Sequence, residues 1–397
     1  MPLNYRKIGE LITKVSEKNK DGLYDEVLGV AIEKEFMPSV ANTIGTDLKK
    51  YNVVRKNRFA FNPMHVGRDE KLPIAVYHYD EPALVSPAYM MFEIKDKSVD
   101  VEYLMLIFKT ASFDHLCWFH TDASVRGGLT WEDFTDIEIN IPSLDEQLKI
   151  VRQYKTITDR IEVLEKINEE LYKQADCLIK HFVFDAIGLE DLTKIDNIEL
   201  PNTWEVKPLS EVSDCQSGYA FYKEGYTDKG VRIVDLGNIT IRSEFMKLDK
   251  DKRVISAKYK ASKYDKYRLQ KNDLVMVMTD RKTTMELLGK AGIIDDDEEM
   301  LLNQRVYRIR SNINTAFLYV YLNSEMVHYY HKAHALGTAQ KYINNGDIDG
   351  IPIIIPNEET FDMICNTCSP IIDMMTKNKR EIETLNTFLD FTRDSVK

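Results

Sequence analysis

The sequence has little of what marks membrane proteins or secreted proteins. Its longest apolar runs, such as residues 351–355, fall far short of the roughly 20 residues that a membrane-spanning helix needs. Five of the 397 residues are cysteine, an odd number without the spacing of a disulfide framework, and this favours a reducing compartment. The start of the chain has no signal-peptide pattern. We therefore expect a cytoplasmic protein that does not contact a membrane.

Catalytic motifs are also missing. The chain has no P-loop, no dinucleotide-binding glycine pattern after a strand, no nucleophile elbow and no zinc-protease pair of histidines. Asn62-Pro63-Met64 departs from the Asn-Pro-Pro-aromatic motif of adenine methyltransferases. We expect no catalysis by this chain, no cofactor and no metal ion.

Three clusters of potential metal ligands have simpler explanations. They are Cys365 with Cys368, the trio His115, Cys117 and His120, and the five consecutive acids at residues 295–299. The cysteine pair has no second pair or histidine nearby, as a zinc site would require, and it fits inside a helix. The histidines lie in an aromatic stretch, which favours core packing. The acidic run is predicted to be a charged surface loop.

The formal net charge of −11 argues against a nucleic-acid partner, but charge acts locally because salt screens it over about 8–10 Å. Residues 246–271 contain ten Lys or Arg against three Asp, and residues 49–71 contain seven against two acids. One such cluster is an ordinary solvated surface. Two clusters, one in each half of the chain, favour a polyanionic partner.

A long helix in the middle of the chain carries a narrow apolar seam. Its start is marked by Pro142 and by a capping box of Ser143 and Glu146. Further along, the apolar positions step alternately by four and three, with one polar intruder. The seam consists of Ile157, Ile161, Leu164, Asn168, Leu171, Ala175, Leu178 and Phe182. So narrow a seam predicts pairing with one partner helix.

The partner helix lies in the same chain, because the seam recurs 214 positions later, at residues 371–396 instead of 157–182. The second copy consists of Ile371, Met375, Asn378, Ile382, Leu385, Leu389, Thr392 and Val396. Each copy follows an isoleucine-rich strand that ends at a proline, Pro142 in the first copy and Pro356 in the second. Two copies at so long a period indicate a duplicated unit of domain plus helix rather than a solenoid.

These features predict an α+β protein in which two α/β domains are joined by two long antiparallel helices, a coiled coil with a pseudo-two-fold internal repeat. The predicted boundaries are 1–142 for the first domain, 143–187 for the central helix, 188–356 for the second domain and 357–397 for the distal helix. Residues 188–199 are predicted to be an acidic linker. In an antiparallel pair Asn168 can share a layer with Asn378 and hydrogen bond to it.

Local patterns predict several shorter elements. Helices are expected at residues 7–17, 101–110 and 315–332, and strands near 51–61, 74–78, 89–94, 137–141, 231–236, 274–278, 292–294 and 306–310. Pro370 lies inside the second long helical region. A short helix from Glu358 should therefore break or kink there and restart with Ser369 as its cap.

A series of short motifs runs along both halves of the chain. They are Ile139-Asn140-Ile141-Pro142 with Glu146-Gln147 and Ile150; Leu200-Pro201 with Trp204, Leu209 and Ser217-Gly218; Leu269 with Lys271-Asn272-Asp273-Leu274, echoed by Val54 with Lys56-Asn57-Arg58-Phe59; and Gly337 with Gln340 and Ile343. Their order and duplication resemble the specificity subunit of Type I restriction–modification systems over essentially the whole length. Two places depart from the pattern: Pro356-Asn357-Glu358-Glu359 lacks the Glu-Gln pair, and Arg126-Gly127-Gly128 lacks the glutamine.

The resemblance implies two target-recognition domains, each followed by a long helix. It implies a non-catalytic subunit that recognises a bipartite, asymmetric site on double-stranded DNA through the major groove. It also implies two methyltransferase subunits as partners, which would supply S-adenosylmethionine chemistry, and ATP-dependent restriction subunits.

Loops that follow strands in both domains are the candidate DNA contacts, because base edges specify sequence while Lys, Arg and backbone amides hold phosphates. The candidates are Asn62, His65, Arg68, Ser124, Arg126, Ser217, Tyr219, Arg281, Lys282, Thr283, Gln340 and Lys341. The loops at residues 280–284 and 337–342 are expected to face the same groove as their first-domain counterparts. For each single residue, an exposed position without a DNA contact is the alternative.

Two other functions fit the same sequence. A structural protein could carry two sugar-binding or peptide-binding heads on a coiled coil, and it would show no salt-dependent affinity for DNA. A nuclease with an unrecognised site would cleave DNA by itself in the presence of a metal ion. If the chain does bind DNA, the seam length of roughly 39 Å predicts domains about 10–14 base pairs apart.

Overall fold

The computed structural model describes residues 4–39, 45–64, 66–121, 128–221, 226–248, 251–254, 262–282, 284–338 and 340–395. The chain divides into two compact units. Unit 1 comprises Met1–Val163 and Glu381–Lys397, and unit 2 comprises Leu164–Arg380. Each unit contains one mixed α/β domain and a part of both long helices.

The domain of unit 1 alternates short strands with helices. Its elements are β1 (Tyr5–Lys7), α1 (Ile8–Leu11), β2 (Ile12–Val15), β3 (Val27–Val30), β4 (Phe36–Pro38), β5 (Asn52–Val54), β6 (Phe59–Phe61), α2 (Val66–Asp69), β7 (Ile74–Val76), β8 (Ala83–Val85), β9 (Met90–Ile94), α3 (Val101–Phe108), α4 (Ala111–Phe119), α5 (Trp131–Asp136) and β10 (Glu138–Asn140), followed by the long helix α6 (Leu144–Ile179).

Two four-stranded sheets form this domain. One has the strand order β2-β9-β6-β7 and is antiparallel throughout. The other, β4-β3-β8-β5, is parallel only where β3 meets β8. Strand β6 is buried on both faces: Phe59 and Phe61 pack into the main core, and Ala60 packs into a smaller cluster on the opposite face. This central strand fixes where the loop after Phe61 begins.

The domain of unit 2 has a matching series of elements. They are β11 (Glu205–Pro208), α7 (Leu209–Val212), β12 (Ser213–Ser217), β13 (Tyr226–Thr227), β14 (Val231–Val234), β15 (Arg253–Val254), β16 (Arg268–Leu269), β17 (Leu274–Val277), β18 (Thr279–Asp280), β19 (Ala291–Ile293), β20 (Met300–Leu302), β21 (Val306–Ser311), α8 (Thr315–Asn323), α9 (Glu325–His334), β22 (Lys341–Tyr342), α10 (Asn345–Asp349) and β23 (Pro352–Ile355), followed by the long helix α11 (Glu358–Ser395).

The sheets and caps of unit 2 repeat those of unit 1. The order β12-β21-β17-β19 matches β2-β9-β6-β7, and the parallel pair of β14 and β20 matches that of β3 and β8. Thr110 caps α4 as Ser324 caps α9, and Thr130 caps α5 as Asn344 caps α10. Both pairs of caps are separated by the same offset as the two helical seams. The predicted internal repeat is therefore confirmed, and so is the α+β fold.

The two long helices run antiparallel, as unit 1 shows by itself. Arg160 Nε donates a hydrogen bond to Glu381 at 2.7 Å. Nearer the start of α6, Tyr154 lies beside Asp390 and Arg393, which are nearer the end of α11. Residues nearer the start of α6 therefore contact residues nearer the end of α11, as in an antiparallel pair.

Unit 2 contains the predicted asparagine layer. Asn378 Nδ2 donates to Asn168 Oδ1 at 2.8 Å, and Asn168 Nδ2 donates to the carbonyl of Met375 at 3.2 Å. Asn168 is buried, so both hydrogen bonds replace lost contacts with water. The other predicted seam residues are buried or half-buried as well, except Val396, which lies outside the described residues.

The break predicted at Pro370 is wrong, because α11 is continuous from Glu358 to Ser395. Proline in a helix interior removes one backbone hydrogen bond and costs roughly 3 kcal/mol or more. The helix face around it buries Cys368 and Ile372, and this packing offsets the local cost. Ser369 does not cap a helix; its hydroxyl accepts a hydrogen bond from Asn314 Nδ2 at 3.1 Å.

Three shorter predictions also need correction. The helix predicted at residues 7–17 ends at Leu11, because the following residues pair as β2 with β9. The helix predicted at 315–332 is divided at Ser324, whose side chain caps the start of α9. The segment predicted as a linker, 188–199, buries Leu189, Leu192 and Ile195 in the core of unit 2. Apolar residues every three positions explain that burial.

The predicted ligand clusters have structural roles. Cys365 and Cys368 lie within α11, as predicted, and burial raises the pKa of the Cys365 thiol to about 12 and that of Cys368 to about 11. In the histidine cluster Cys117 is buried, but the neighbouring Trp118 and Phe119 are 44% and 79% exposed. The prediction that the whole aromatic stretch packs into the core is therefore wrong.

No helix in the described part of the chain combines the length and apolarity that crossing a bilayer requires.

Candidate nucleic-acid interface

The end of β17 in unit 2 brings two of the predicted contact loops together. After β17 the chain forms β18, which pairs antiparallel with β22, and Asp280 lies opposite Lys341. Arg281 follows β18 and Gln340 precedes β22, so the two residues lie next to each other just beyond this pair. Candidates that are 59 positions apart in the sequence (340 against 281) therefore meet at the end of one short ladder.

The backbone of the first loop is anchored by a buried carboxylate. Asp280 accepts hydrogen bonds from the amides of Lys282 at 2.8 Å and Leu287 at 2.9 Å. Arg281 is exposed, and Lys282 forms an ion pair with Glu286 at 3.7 Å. The loop is therefore held at its base while its two cationic side chains face solvent.

The second loop is closed by a glycine. Gly337 has a φ of 88°, and a Cβ atom at this position would lie 2.2 Å from the carbonyl oxygen of Gln340. Any other residue would clash, so the turn requires glycine. Leu336 and Tyr342 exchange two backbone hydrogen bonds of 2.9 and 3.1 Å across the turn. Glycine therefore closes a tight turn next to Gln340 and Lys341, which are both half-buried.

Two polar side-chain atoms at this ladder are buried and have no hydrogen-bond partner among the residues that the structure describes. They are Thr279 Oγ1 and Gln340 Nε2. A buried unsatisfied polar group costs about 1–3 kcal/mol, and native proteins contain few of them, often at functional sites. Thr279 is not among the residues that the sequence predicts. Its only sequence signal is its place at the end of a strand, immediately before a predicted contact loop.

Ser217 and Tyr219 are half-buried, whereas Arg281 and Lys282 are exposed. Ser217 is the last residue of β12 and is half-buried. Tyr219 packs against Phe221, Tyr264 and Tyr267, with ring centres 5.0, 5.5 and 5.3 Å away. Both residues support the scaffold of unit 2, and a DNA contact by either of them stays a prediction.

Unit 1 has a different loop at the matching position. The amide of Leu129 donates to the carbonyl of Pro63 at 3.0 Å, as the amide of Ile343 donates to that of Met278 at 2.9 Å in unit 2. Beyond this shared hydrogen bond the chain forms helix α2 in unit 1 and strand β18 in unit 2. One scaffold position therefore carries two different surfaces.

Among the candidates of unit 1, Asn62 is the one whose side chain the structure describes. Its Oδ1 accepts a hydrogen bond from the amide of Met64 at 3.0 Å and shapes the turn after β6. The backbone of Arg68 lies in α2, and its side chain is outside the described part. The candidates outside the described residues are His65, Ser124 and Arg126 of unit 1 and Thr283 of unit 2.

Four basic residues of the cluster at 246–271 form ion pairs with acids of the same unit. The ion pairs are Lys247–Asp296, Lys252–Asp235, Arg253–Glu298 and Arg268–Glu299. The carboxylate of Asp235 accepts a hydrogen bond from Lys252 and raises the pKa of that ammonium group. Three of these acids belong to the run at 295–299. The net positive charge counted over residues 246–271 therefore overestimates the positively charged surface that a polyanion could contact.

The acidic run lies in a loop, as the sequence predicts, and Asp297 and Glu299 are exposed, but Asp295 is not solvated. Asp295 is 7% exposed and forms an ion pair with Lys379 at 2.9 Å. The basic cluster of unit 1 is paired in a similar way: Arg55 contacts Glu17 at 2.7 Å, and its guanidinium lowers the pKa of that carboxyl. In both units, basic residues that adjoin acids in space contribute little to a nucleic-acid surface.

Comparisons with known proteins agree with the repeat. A family model described as the Type I restriction modification DNA specificity domain matches residues 6–173 and 201–387. The type I restriction enzyme MjaVIII specificity subunit of Methanocaldococcus jannaschii is 27% identical over 320 residues, which cover 76% of this chain and 71% of that protein. The MjaIX specificity subunit of the same organism is 25% identical over 310 residues, 73% of this chain and 66% of that protein.

A solved structure has the same fold. The Type I restriction–modification S subunit from M. genitalium matches 100% of this chain and 96% of its own chain, with a TM-score of 0.55 and 13% sequence identity. The two matches to the family model together span most of the sequence, one for each domain with its helix. The chain therefore belongs to the family of Type I restriction–modification DNA specificity proteins.

Proposed function

We propose that this chain recognises a bipartite, asymmetric site on double-stranded DNA as the specificity subunit of a Type I restriction–modification complex. The observation that carries the proposal is one scaffold repeated with two different loops, the β18–β22 ladder in unit 2 and α2 in unit 1. Two different surfaces on equivalent scaffolds suit two half-sites of different sequence, because base edges are read by the side chains of exposed loops.

The proposed contacts are the loop residues that the sequence predicts. Arg281, Lys282 and Lys341 have the best support, because they lie around one ladder and carry positive charge. The other proposed contacts are Asn62, His65, Arg68, Ser124 and Arg126 in unit 1 and Ser217, Tyr219 and Thr283 in unit 2. Gln340, whose amide nitrogen is buried, is proposed to support the DNA-contacting loop of unit 2. Lysine and arginine next to base-reading side chains would fix the register on the phosphates.

The outer flanks of the helices are the proposed docking surfaces for two methyltransferase subunits. In unit 1, Phe388 and Phe391 lie one turn apart on α11 and are 57% and 74% exposed. In unit 2, Ile167 and Met374 are 38% and 51% exposed. Large apolar side chains at helical spacing, outside the seam, favour a protein partner over a solvated helix face.

In this proposal the chain contributes recognition and no catalysis. Methyl transfer belongs to the methyltransferase subunits with their S-adenosylmethionine, and ATP-dependent restriction subunits complete the complex. The missing catalytic motifs support this division of labour. We also propose a cytoplasmic location, which the five free thiols support.

The long helices are proposed to set the spacing of the two half-sites. At 1.5 Å per residue, the apolar seam has a length of roughly 39 Å, which corresponds to about 10–14 base pairs between the centres of the half-sites. Half-sites of a few base pairs would leave roughly 5–9 base pairs unread. Adding one heptad to both helices keeps the seam in phase and adds about 10 Å, so the gap should lengthen by about three base pairs. An unchanged gap, or changed half-site bases, contradicts this spacer role.

Methylation-sensitive sequencing tests the proposed function as a whole. DNA from cells that co-express this chain with a Type I methyltransferase subunit should carry methylated adenines in one bipartite motif. Cells that express the methyltransferase subunit alone should lack that motif, and so should DNA incubated with the purified chain and S-adenosylmethionine. Methylation by the purified chain alone, or the same motif without the chain, contradicts the proposal.

A further inference from the structure

One cation at the end of the β18–β22 ladder of unit 2 faces solvent. Arg281 is exposed, and it has no ion-pair partner within the described residues of the chain. Lys282 beside it pairs with Glu286, and four basic residues of the upstream cluster pair with acids. A guanidinium in this position has all of its donors available for a ligand.

The backbone that carries Arg281 is fixed more firmly than a phosphate contact requires. The carboxylate of Asp280, 6% exposed, accepts the amides of Lys282 and Leu287 at 2.8 and 2.9 Å. On its other side, the chain is paired with β22. Bidentate hydrogen bonding to a base edge requires that the backbone holding the side chain is fixed. A lysine ammonium group on its flexible side chain can contact a phosphate without such a fixed backbone.

The ladder also has two buried polar groups without a hydrogen-bond partner in the described part of the chain. They are Thr279 Oγ1 and Gln340 Nε2. Because Gln340 Nε2 is buried, this amide group is poorly placed to reach a base edge itself. Its position beside Arg281 at the end of the ladder suits a positioning residue, which completes its hydrogen bonds when a ligand or bound water arrives.

We propose that Arg281 reads a guanine in the half-site of unit 2, through the O6 and N7 atoms in the major groove. Lys282 and Lys341 flank it and contact phosphates, and Gln340 positions the ladder. This inference rests on the proposed function and adds to it the base class that one residue recognises. Guanine presents two hydrogen-bond acceptors in the major groove, and their spacing matches two donors of an arginine guanidinium group.

Selection from a pool of randomised duplex DNA tests this assignment without a methyltransferase subunit. The purified full-length chain is incubated with the pool, and the bound fraction is sequenced for the wild type and for Arg281→Lys, Arg281→Ala and the control Lys282→Ala. The wild type should enrich a bipartite motif with guanine at the affected position. Both Arg281 variants should lose preference at that single position, by about 5- to 150-fold, and keep every other base. Lys282→Ala should keep the whole motif and bind all sequences more weakly. The slope of the logarithm of its affinity against the logarithm of the salt concentration should be smaller by about one.

Several outcomes would overturn the inference. If Arg281→Lys keeps the motif while Arg281→Ala weakens all sequences equally, Arg281 holds a phosphate. An unchanged motif in both variants, or an affected position that is not guanine in the wild type, also overturns it. A wild-type chain that enriches no bipartite motif overturns the proposed function, and the inference with it. Circular dichroism of each variant separates loss of binding from loss of fold, which substitution of an exposed side chain should not cause.

Discussion

The two units place opposite charges at the same point of their common scaffold. In unit 1, Arg58 precedes β6 and pairs with Glu93 of β9 at 2.7 Å. In unit 2, Asp273 precedes β17 and accepts two hydrogen bonds from Arg310 of β21, at 2.7 and 2.8 Å. Each pair closes the same two neighbouring strands. Both units therefore have two opposite charges at this point, and the order of the charges is reversed between them.

A second comparison concerns what the scaffold carries. The hydrogen bonds of Leu129 and Ile343 and the four helix caps repeat between the units, whereas α2 and β18 differ completely. Scaffold positions are buried or hydrogen bonded, so few residues fit them. Loop positions face solvent and can diverge without loss of stability, which is where recognition can change.

Breaking the charge pair of unit 2 should have the largest effect. Asp273→Ala leaves Arg310 without its carboxylate and also removes the acceptor for the amide of Gln270. We expect a loss of about 3–5 kcal/mol in the free energy of opening of unit 2, measured by native-state hydrogen exchange of the amides of β17. Arg58→Ala should have a similar effect on β6 in unit 1.

A charge exchange sharpens the same comparison. Asp273→Arg combined with Arg310→Glu imitates the order of charges in unit 1 and should recover part of the loss caused by Asp273→Ala. The single variant Asp273→Arg, which places two cations together, is the control and should recover nothing. If the double variant opens as readily as that control, the two charge pairs are not equivalent.

The asparagine layer of unit 2 should give a smaller effect. Asn168→Leu leaves the Asn378 amide without its side-chain partner, and we expect a loss of about 1–3 kcal/mol in the stability of unit 2. Adding Asn378→Leu should reverse most of the loss, because an apolar layer then replaces a broken polar one. Melting curves of the two single variants and the double variant measure the coupling.

The seam of unit 1 provides the matched control. Ile161 is an apolar residue of this seam, so Ile161→Asn should introduce a lone amide and lower the melting temperature as much as Asn168→Leu does in unit 2. If the double leucine variant is no more stable than either single variant, the paired asparagines are not the source of the effect.

The smallest predicted effect is a pH dependence of opposite sign in the two units. In unit 1, Arg55 lowers the pKa of Glu17, so ionised Glu17 stabilises the unit above its unfolded pKa of about 4.3. This stabilisation is lost as the pH falls through the lower folded pKa. In unit 2, burial, with Glu325 nearby, raises the pKa of Asp176. Ionised Asp176 therefore destabilises unit 2 above its folded pKa, and the penalty is absent below the unfolded pKa of about 3.9.

Two neutral variants separate these carboxyl groups. Asp176→Asn should raise the melting temperature by a few degrees at most at pH 7 and leave it unchanged at pH 3. Glu17→Gln should lower the melting temperature at pH 7 and have a smaller effect at pH 3. Melting curves at the two pH values check both signs, and equal shifts at both values would contradict the assignment to ionisation.

The sequence by itself determined the repeat and the helical seam. An apolar period of 3.5 residues specifies a two-helix contact without any knowledge of the rest of the fold, and the polar intruders Asn168 and Asn378 must be paired because lone buried amides are costly. The two domains followed because the same order of motifs occurs twice. The missing catalytic motifs are likewise a property of the sequence alone.

Only the tertiary structure decided which charges are available and which loops meet. Acids of the run at 295–299 pair with three basic residues that precede them, and Arg281 meets Gln340 through the pairing of β18 with β22. The continuity of α11 through Pro370 depends on packing by residues from elsewhere in unit 2. Local patterns encode periodicity and caps, because these depend on neighbours within a few positions. Charge pairing and loop contact depend on residues that are distant in the chain, and their positions follow only from the folded sheet.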